Sequence, residues 1–224
     1  MRSRLHLPLA LALAAVIATA ASACGGDDDE TDKGAATRQS AAPSAPGKAS
    51  SSSMPDYAGA VATPPKQAPA LKLKDSTGKP FDMSQHRGKV VLLTWLYVKC
   101  PDVCPLIVSN LKTAQTKLGS QGEDVVIVAV STDPERDTPK AVNQFLEARG
   151  MQTRMQYLVG SESKLHDVWR TWGVTAEPAA ANPELIEHWS ATYGISASGK
   201  ITTLYPANFK PDQIVHDVPL LAKQ

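Results

Sequence analysis

Cys100 and Cys104, four residues apart in Tyr97-Val98-Lys99-Cys100-Pro101-Asp102-Val103-Cys104-Pro105, are the residues whose type and spacing point most directly to chemistry. Four residues along a helix rise about 6 Å and turn about 40° net, so a helical reading places both sulfurs on one face. Two thiols so placed can form a disulfide or hold one soft metal ion. As a plain staple they would do little, because a bridge across so short a loop removes little chain entropy. Two thiolates alone suit Cu(I), whereas Cu(II) or Zn(II) would also want a nitrogen ligand.

Five histidines could supply that nitrogen. His6 lies in the leader, His86 in a polar turn, His166 on a helix and His216 in the last helix; these four read as surface or packing residues. His188 stands before an apolar stretch, 189–195, that reads as a strand. In the topology set out below, the entry to that strand lies beside the cysteine-bearing helix, which makes His188 the candidate third ligand.

The elements that must position these groups follow from periodicity. Residues 90–98 form a continuous apolar run, the mark of a strand buried on both faces. After Pro105, the residues Ile107, Leu111, Ala114 and Leu118 recur at helical spacing. The cysteines therefore fall where a strand ends and a helix begins. Reactive groups collect there in open α/β sheets, and a helix amino end favours thiolate over thiol. Partly exposed sulfurs with a lowered pKa are expected. Short strands are predicted near Leu71–Leu73 and Phe81, with further strands at 125–130, 155–159, 189–195 and 201–205. Helices are predicted from Pro139 to Gly150, from Ser161 to Trp172 and over 212–222, and a Pro/Ala-rich loop over 177–187. Thr138 and Pro139 suit an N-cap and first helical position; Asp133 and Asp137 just before them could tune a site electrostatically. The order is β-α-β-α-β-α-β-β-α. With right-handed crossovers it gives a mostly parallel central sheet flanked by helices, closed by a terminal β-hairpin: an α/β, thioredoxin-like fold.

Arg2 and Arg4, an uncharged Leu/Ala-rich core and Ala21-Ser22-Ala23 read as a signal peptide over 1–23. Cys24 directly after it suggests lipidation of that cysteine; ordinary cleavage after Ala23 is the alternative. Residues 24–69 are rich in Gly, Asp, Ser, Ala and Pro and read as a lipidated N-terminus and disordered tether, with 70–224 as one globular domain. Export places Cys100 and Cys104 where disulfides persist. Without Arg2 and Arg4, 21 basic residues face 22 acidic ones with no basic run, so nothing supports nucleic-acid binding.

The Tyr97–Pro105 motif, then Asp133-Pro134-Glu135-Arg136-Asp137-Thr138-Pro139, then His188 before a strand, resembles the Sco/SenC family of copper-binding assembly proteins. The resemblance runs from about Leu71 to Ala222. It implies a copper site of Cys100, Cys104 and His188, taking Cu(I) and Cu(II). It also implies metallochaperone work at the binuclear copper (CuA) site of cytochrome c oxidase, with subunit II or another cuproprotein as partner. The implied location is the outer face of a bacterial cell membrane, reached through a lipid anchor on Cys24. A thiol-disulfide oxidoreductase cycling Cys100 and Cys104 is the alternative; a peroxidase finds no matching residue set around Cys100.

Overall fold

A computed structural model describes residues 55–224. The leader, Cys24 and the acidic run after it lie outside the described residues. Along the chain come β1 (Ala60–Gln67), β2 (Lys72–Asp75), β3 (Pro80–Asp82), β4 (Val90–Leu96), α1 (Val103–Leu118), β5 (Val125–Ser131) and α2 (Pro139–Arg149). Then follow β6 (Met155–Val159), α3 (Glu162–Trp172), β7 (Ala176–Ala179), β8 (Asn182–His188), β9 (Thr192–Ile195), β10 (Lys200–Tyr205) and α4 (Pro211–Ala222).

Eight strands form one sheet in the order β1-β10-β9-β4-β5-β6-β2-β3. β4, β5 and β6 run parallel, joined by crossovers through α1 and α2. β9 pairs antiparallel with β4, and β10 folds back on β9 as the terminal hairpin. The α/β, thioredoxin-like arrangement is therefore present.

Every residue of β4 is buried, and alternation sorts its side chains between two cores. Val90, Leu92 and Leu96 face Ile107 and Leu111 of α1, Phe145 of α2, and Ile214 and Leu221 of α4. Val91, Leu93 and Trp95 face Leu71, Phe81 and the α3 residues Leu165, Trp169 and Trp172. A strand with a helix layer on either side has no solvent face, which is why its sequence is unbroken apolar rather than alternating. Helix ends follow their local chemistry. Thr138 accepts the Ala141 N–H at 3.3 Å with Pro139 first in α2, and Gly150 closes that helix in the left-handed region.

Three expectations need correction. The folded body begins well before residue 70: Tyr57 is buried, and β1 pairs antiparallel with β10. The anchor is Asp217 on α4, which is fully buried and accepts the N–H groups of Ala58 (2.8 Å) and Gly59 (2.9 Å) and the Tyr205 hydroxyl (2.9 Å). Composition hid this strand, because an edge strand held by backbone pairing and one distant carboxylate needs few apolar side chains. Next, the loop predicted over 177–187 is a hairpin, β7–β8, a two-stranded sheet of its own. Prolines and alanines masked it, since much of it is exposed and few apolar side chains, Ala176, Ala179 and Ile186 among them, turn towards the body. His188 accordingly ends β8, paired with Ala176, instead of opening the next strand.

Candidate metal and redox centre

Cys100 and Cys104 sit where β4 gives way to α1, as the spacing implies, but not both on the helix. Asp102 is the N-cap, so Cys104 lies in the first turn of α1 and Cys100 in the turn before it. The pair meets all the same. The Cys104 N–H points at the Cys100 sulfur (3.3 Å), and the Cys104 thiol hydrogen-bonds the same atom. Both side chains are buried, Cys100 at 7% exposure and Cys104 at 0%, whereas partial exposure was expected. The chain folds back over them through Tyr97, also buried, whose hydroxyl lies against Cys100.

The two thiols are electrostatically unequal. The hydrogen bond from Cys104, aided by the amides of Asp102 and Cys104 and the Tyr97 hydroxyl, lowers Cys100 to about 6 against the opposing effect of burial. The same bond, with burial added, pushes the Cys104 thiol up. Near neutral pH the pair is one thiolate and one thiol that donates to it. Both cysteines are free.

His188 arrives from the β7–β8 hairpin. Its ring meets the Tyr97 ring edge-on, with centroids 5.7 Å apart. Nδ1 lies 3.0 Å from the Trp189 carbonyl oxygen, which only accepts, so Nδ1 carries the proton and Nε2 the lone pair. Burial lowers the imidazole pKa, which keeps the ring neutral at pH 7. Trp189 itself is 52% exposed. Sulfur thiolate, sulfur thiol and a neutral imidazole nitrogen form a soft, mixed donor set that suits copper. The set is not closed: among the described residues, no three His, Cys, Asp or Glu side chains stand together as a metal-holding group. The structure brings the two cysteines together and sets the His188 ring against Tyr97, the residue that lies over Cys100. His86 stacks on Phe81, His166 meets Trp169 with the rings tilted, and His216 touches Asp217, so these three serve packing and surface contacts.

Behind the cysteines lies the loop between β5 and α2. Asp137 is buried there and accepts the Val98 N–H (2.8 Å), the Ser131 hydroxyl (2.7 Å) and the Tyr157 hydroxyl (2.8 Å). Burial outweighs these bonds and pushes its carboxyl up to about 6. Sequence reasoning gave Asp137 only a general electrostatic role. Its grip on the cysteine loop spans 39 positions and has no local signal. Tyr97 was visible in the motif, but its place between Cys100 and His188 needed the fold.

A thioredoxin-like sheet with a C-x-x-x-C pair at the first parallel crossover and a histidine on an added hairpin defines a thiol-bearing domain of the thioredoxin-like class. The SCO1/SenC family model matches residues 61–223, and the chain belongs to that family. Relatives agree. The SCO2-like protein of Rickettsia typhi is 25% identical over 135 residues, 58% of this chain; the chain spans just under two thirds, 66%, of that relative. The solution structure of apo Sco1 from Thermus thermophilus shares 30% identity with a TM-score of 0.64, covering 74% of this chain and 96% of that one. Arabidopsis thaliana ScoI, solved with copper bound, shares 27% identity with a TM-score of 0.61, covering 70% and 98%.

Proposed function

We propose that the protein is an extracytoplasmic copper metallochaperone. In this reading Cys100, Cys104 and His188 hold one copper ion and pass it to the CuA site of cytochrome c oxidase subunit II or to another cuproprotein. Membership of the SCO1/SenC family and likeness to a copper-bound ScoI support the metal. The observation that carries the reading is the cysteine pair: two sulfurs in hydrogen-bond contact, one a thiolate near pH 7, with a neutral histidine against the Tyr97 ring that lies over Cys100. Two thiolate ligands satisfy Cu(I); the imidazole adds what Cu(II) wants. Because His188 stands at the end of a hairpin rather than in the sheet, it can join or leave while the cysteines keep the ion. Lipidation of Cys24, with attachment to the outer face of the cell membrane, belongs to the same reading and rests on the leader sequence.

Copper titration of the reduced protein, followed by visible and EPR spectra, tests it. One copper per chain is expected, with a thiolate-to-Cu(II) charge-transfer band that vanishes in Cys100→Ser or Cys104→Ser. His188→Ala should lose Cu(II) more than Cu(I); unchanged Cu(II) binding in that variant would remove His188 from the site.

A second reading has its own support. A thiolate at Cys100, the less deeply buried of the two, backed by a fully buried thiol at Cys104 is the division of labour of a disulfide exchanger. Cys100 would attack a target disulfide, and Cys104 would then release the target by closing the Cys100–Cys104 bridge. Absence of copper binding, together with reduction of a model disulfide, would favour this role.

A further inference from the structure

Resting on the copper reading above, we propose that Arg136 is a positioning residue for His188: its guanidinium braces the β7–β8 hairpin against the loop between β5 and α2. The argument starts from what holds the hairpin. β7 and β8 pair with each other, outside the eight-stranded sheet, and His188 sits at the open end opposite Ala176. A two-stranded ribbon is marginal by itself, so attachments from the body decide where its end lies. Arg136 Nη1 donates to the Glu184 carbonyl in β8, four residues before His188. Tyr97 lies near the Ile186 amide and meets the His188 ring.

Arg136 is itself held rigidly. Its Nε pairs with the Asp133 carboxylate, and its own N–H reaches the other oxygen of that group at 3.3 Å. Asp133 is 4% exposed, and its N–H is tied to the Ser131 hydroxyl at 3.1 Å. A planar guanidinium fixed along one edge by a buried carboxylate aims its remaining donors in a set direction, here at the hairpin backbone. The next residue, Asp137, takes the Val98 N–H two positions before Cys100. One short loop thus grips the cysteine turn with a carboxylate and the histidine hairpin with a guanidinium. The spacing between the sulfurs and His188 is set through that loop. Since the three donors are not closed into a cluster, His188 must approach the sulfurs when an ion binds. A braced hairpin has less freedom to lose in doing so than a free one.

The test uses the full chain. In the metal-free protein, Arg136→Ala should speed amide exchange across β7–β8 about tenfold, the loss of one charge-assisted hydrogen bond, while β4 and β5 keep their protection. In Cu(II) titrations, Arg136→Ala should bind about tenfold more weakly than wild type, while on a His188→Ala background the same substitution should weaken binding no further. Arg136→Lys, with one donor group to share between Asp133 and Glu184, should fall between. If Arg136→Ala loses its circular dichroism, Arg136→Gln takes its place in every comparison. Unchanged hairpin exchange overturns the brace, as does an equal loss of Cu(II) affinity with and without His188. Equal Cu(II) binding by wild type and His188→Ala overturns the site reading and the proposal with it, an outcome set apart because hairpin exchange is measured without metal.

Discussion

Between Cys100 and Cys104 the single proton is unevenly held, and that inequality has measurable consequences. Cys100 is lowered to about 6, so its thiolate is present above that pH and lost below it. Alkylation of the reduced protein by iodoacetamide should therefore rise with a midpoint near pH 6 and reach one thiol first, since Cys104 is fully buried. Cys104→Ala removes the donating thiol and should move the midpoint up towards the ordinary cysteine value of 9.0; an unmoved midpoint would show that the amides alone stabilise the thiolate. Asp137 runs in the opposite sense. Its folded-state pKa, about 6, lies above the ordinary 3.8, so the folded protein takes up the proton more readily than the unfolded chain. Stability from this residue is then greatest below pH 4 and declines as pH rises through 6. Asp137→Asn keeps the shape without the charge. Relative to wild type, the variant should gain on the order of 2 kcal/mol between pH 4 and pH 7 in urea unfolding. A constant difference across that range would mean that the carboxylate is not penalised by burial.

At the scale of elements, the site is assembled by connections that differ in how legible they are. β4 and α1 could be read directly: a fully buried strand has to be apolar at every position, and a one-sided helix has to repeat every three to four residues. The cysteine pair came with them. The β7–β8 hairpin was hidden because Pro178, Pro183 and five alanines in and around it carry no alternating pattern, and its pairing satisfies backbone groups rather than burying side chains. His188 was nonetheless singled out, through its place in the element order. β1 was hidden for a related reason, its stability lying in a carboxylate far along the chain. That dependence yields a prediction. Asp217→Ala leaves two N–H groups and the Tyr205 hydroxyl without their buried acceptor, which should cost about 2–4 kcal/mol in urea unfolding and expose β1 amides to rapid exchange. Gly59→Ala should also destabilise, because a Cβ there would stand 2.6 Å from the Tyr205 ring. If β1 remained protected in Asp217→Ala, strand pairing alone would be its anchor.

For the whole molecule, ion binding and folding are linked through residues that are far apart in sequence and close only in the folded state. On the copper reading, free Cu(I) at a hundredfold excess over its dissociation constant should raise unfolding free energy by about 2.7 kcal/mol, and a strong Cu(I) chelator should reverse the gain. A Cys100→Ser, Cys104→Ser double variant should show no gain; an equal gain there would place the ion elsewhere. Trp189 adds a means of watching such events. Three of the four tryptophans, Trp95, Trp169 and Trp172, are interior, while Trp189 stands half in water directly after His188. Indoles in a dry interior emit at shorter wavelength than one in contact with solvent, so the red edge of the emission belongs to a single residue. An ion settling beside His188, or a hairpin swinging away from the body, would alter that edge and leave the blue side untouched. The protein carries its own optical probe of the site, with no label required.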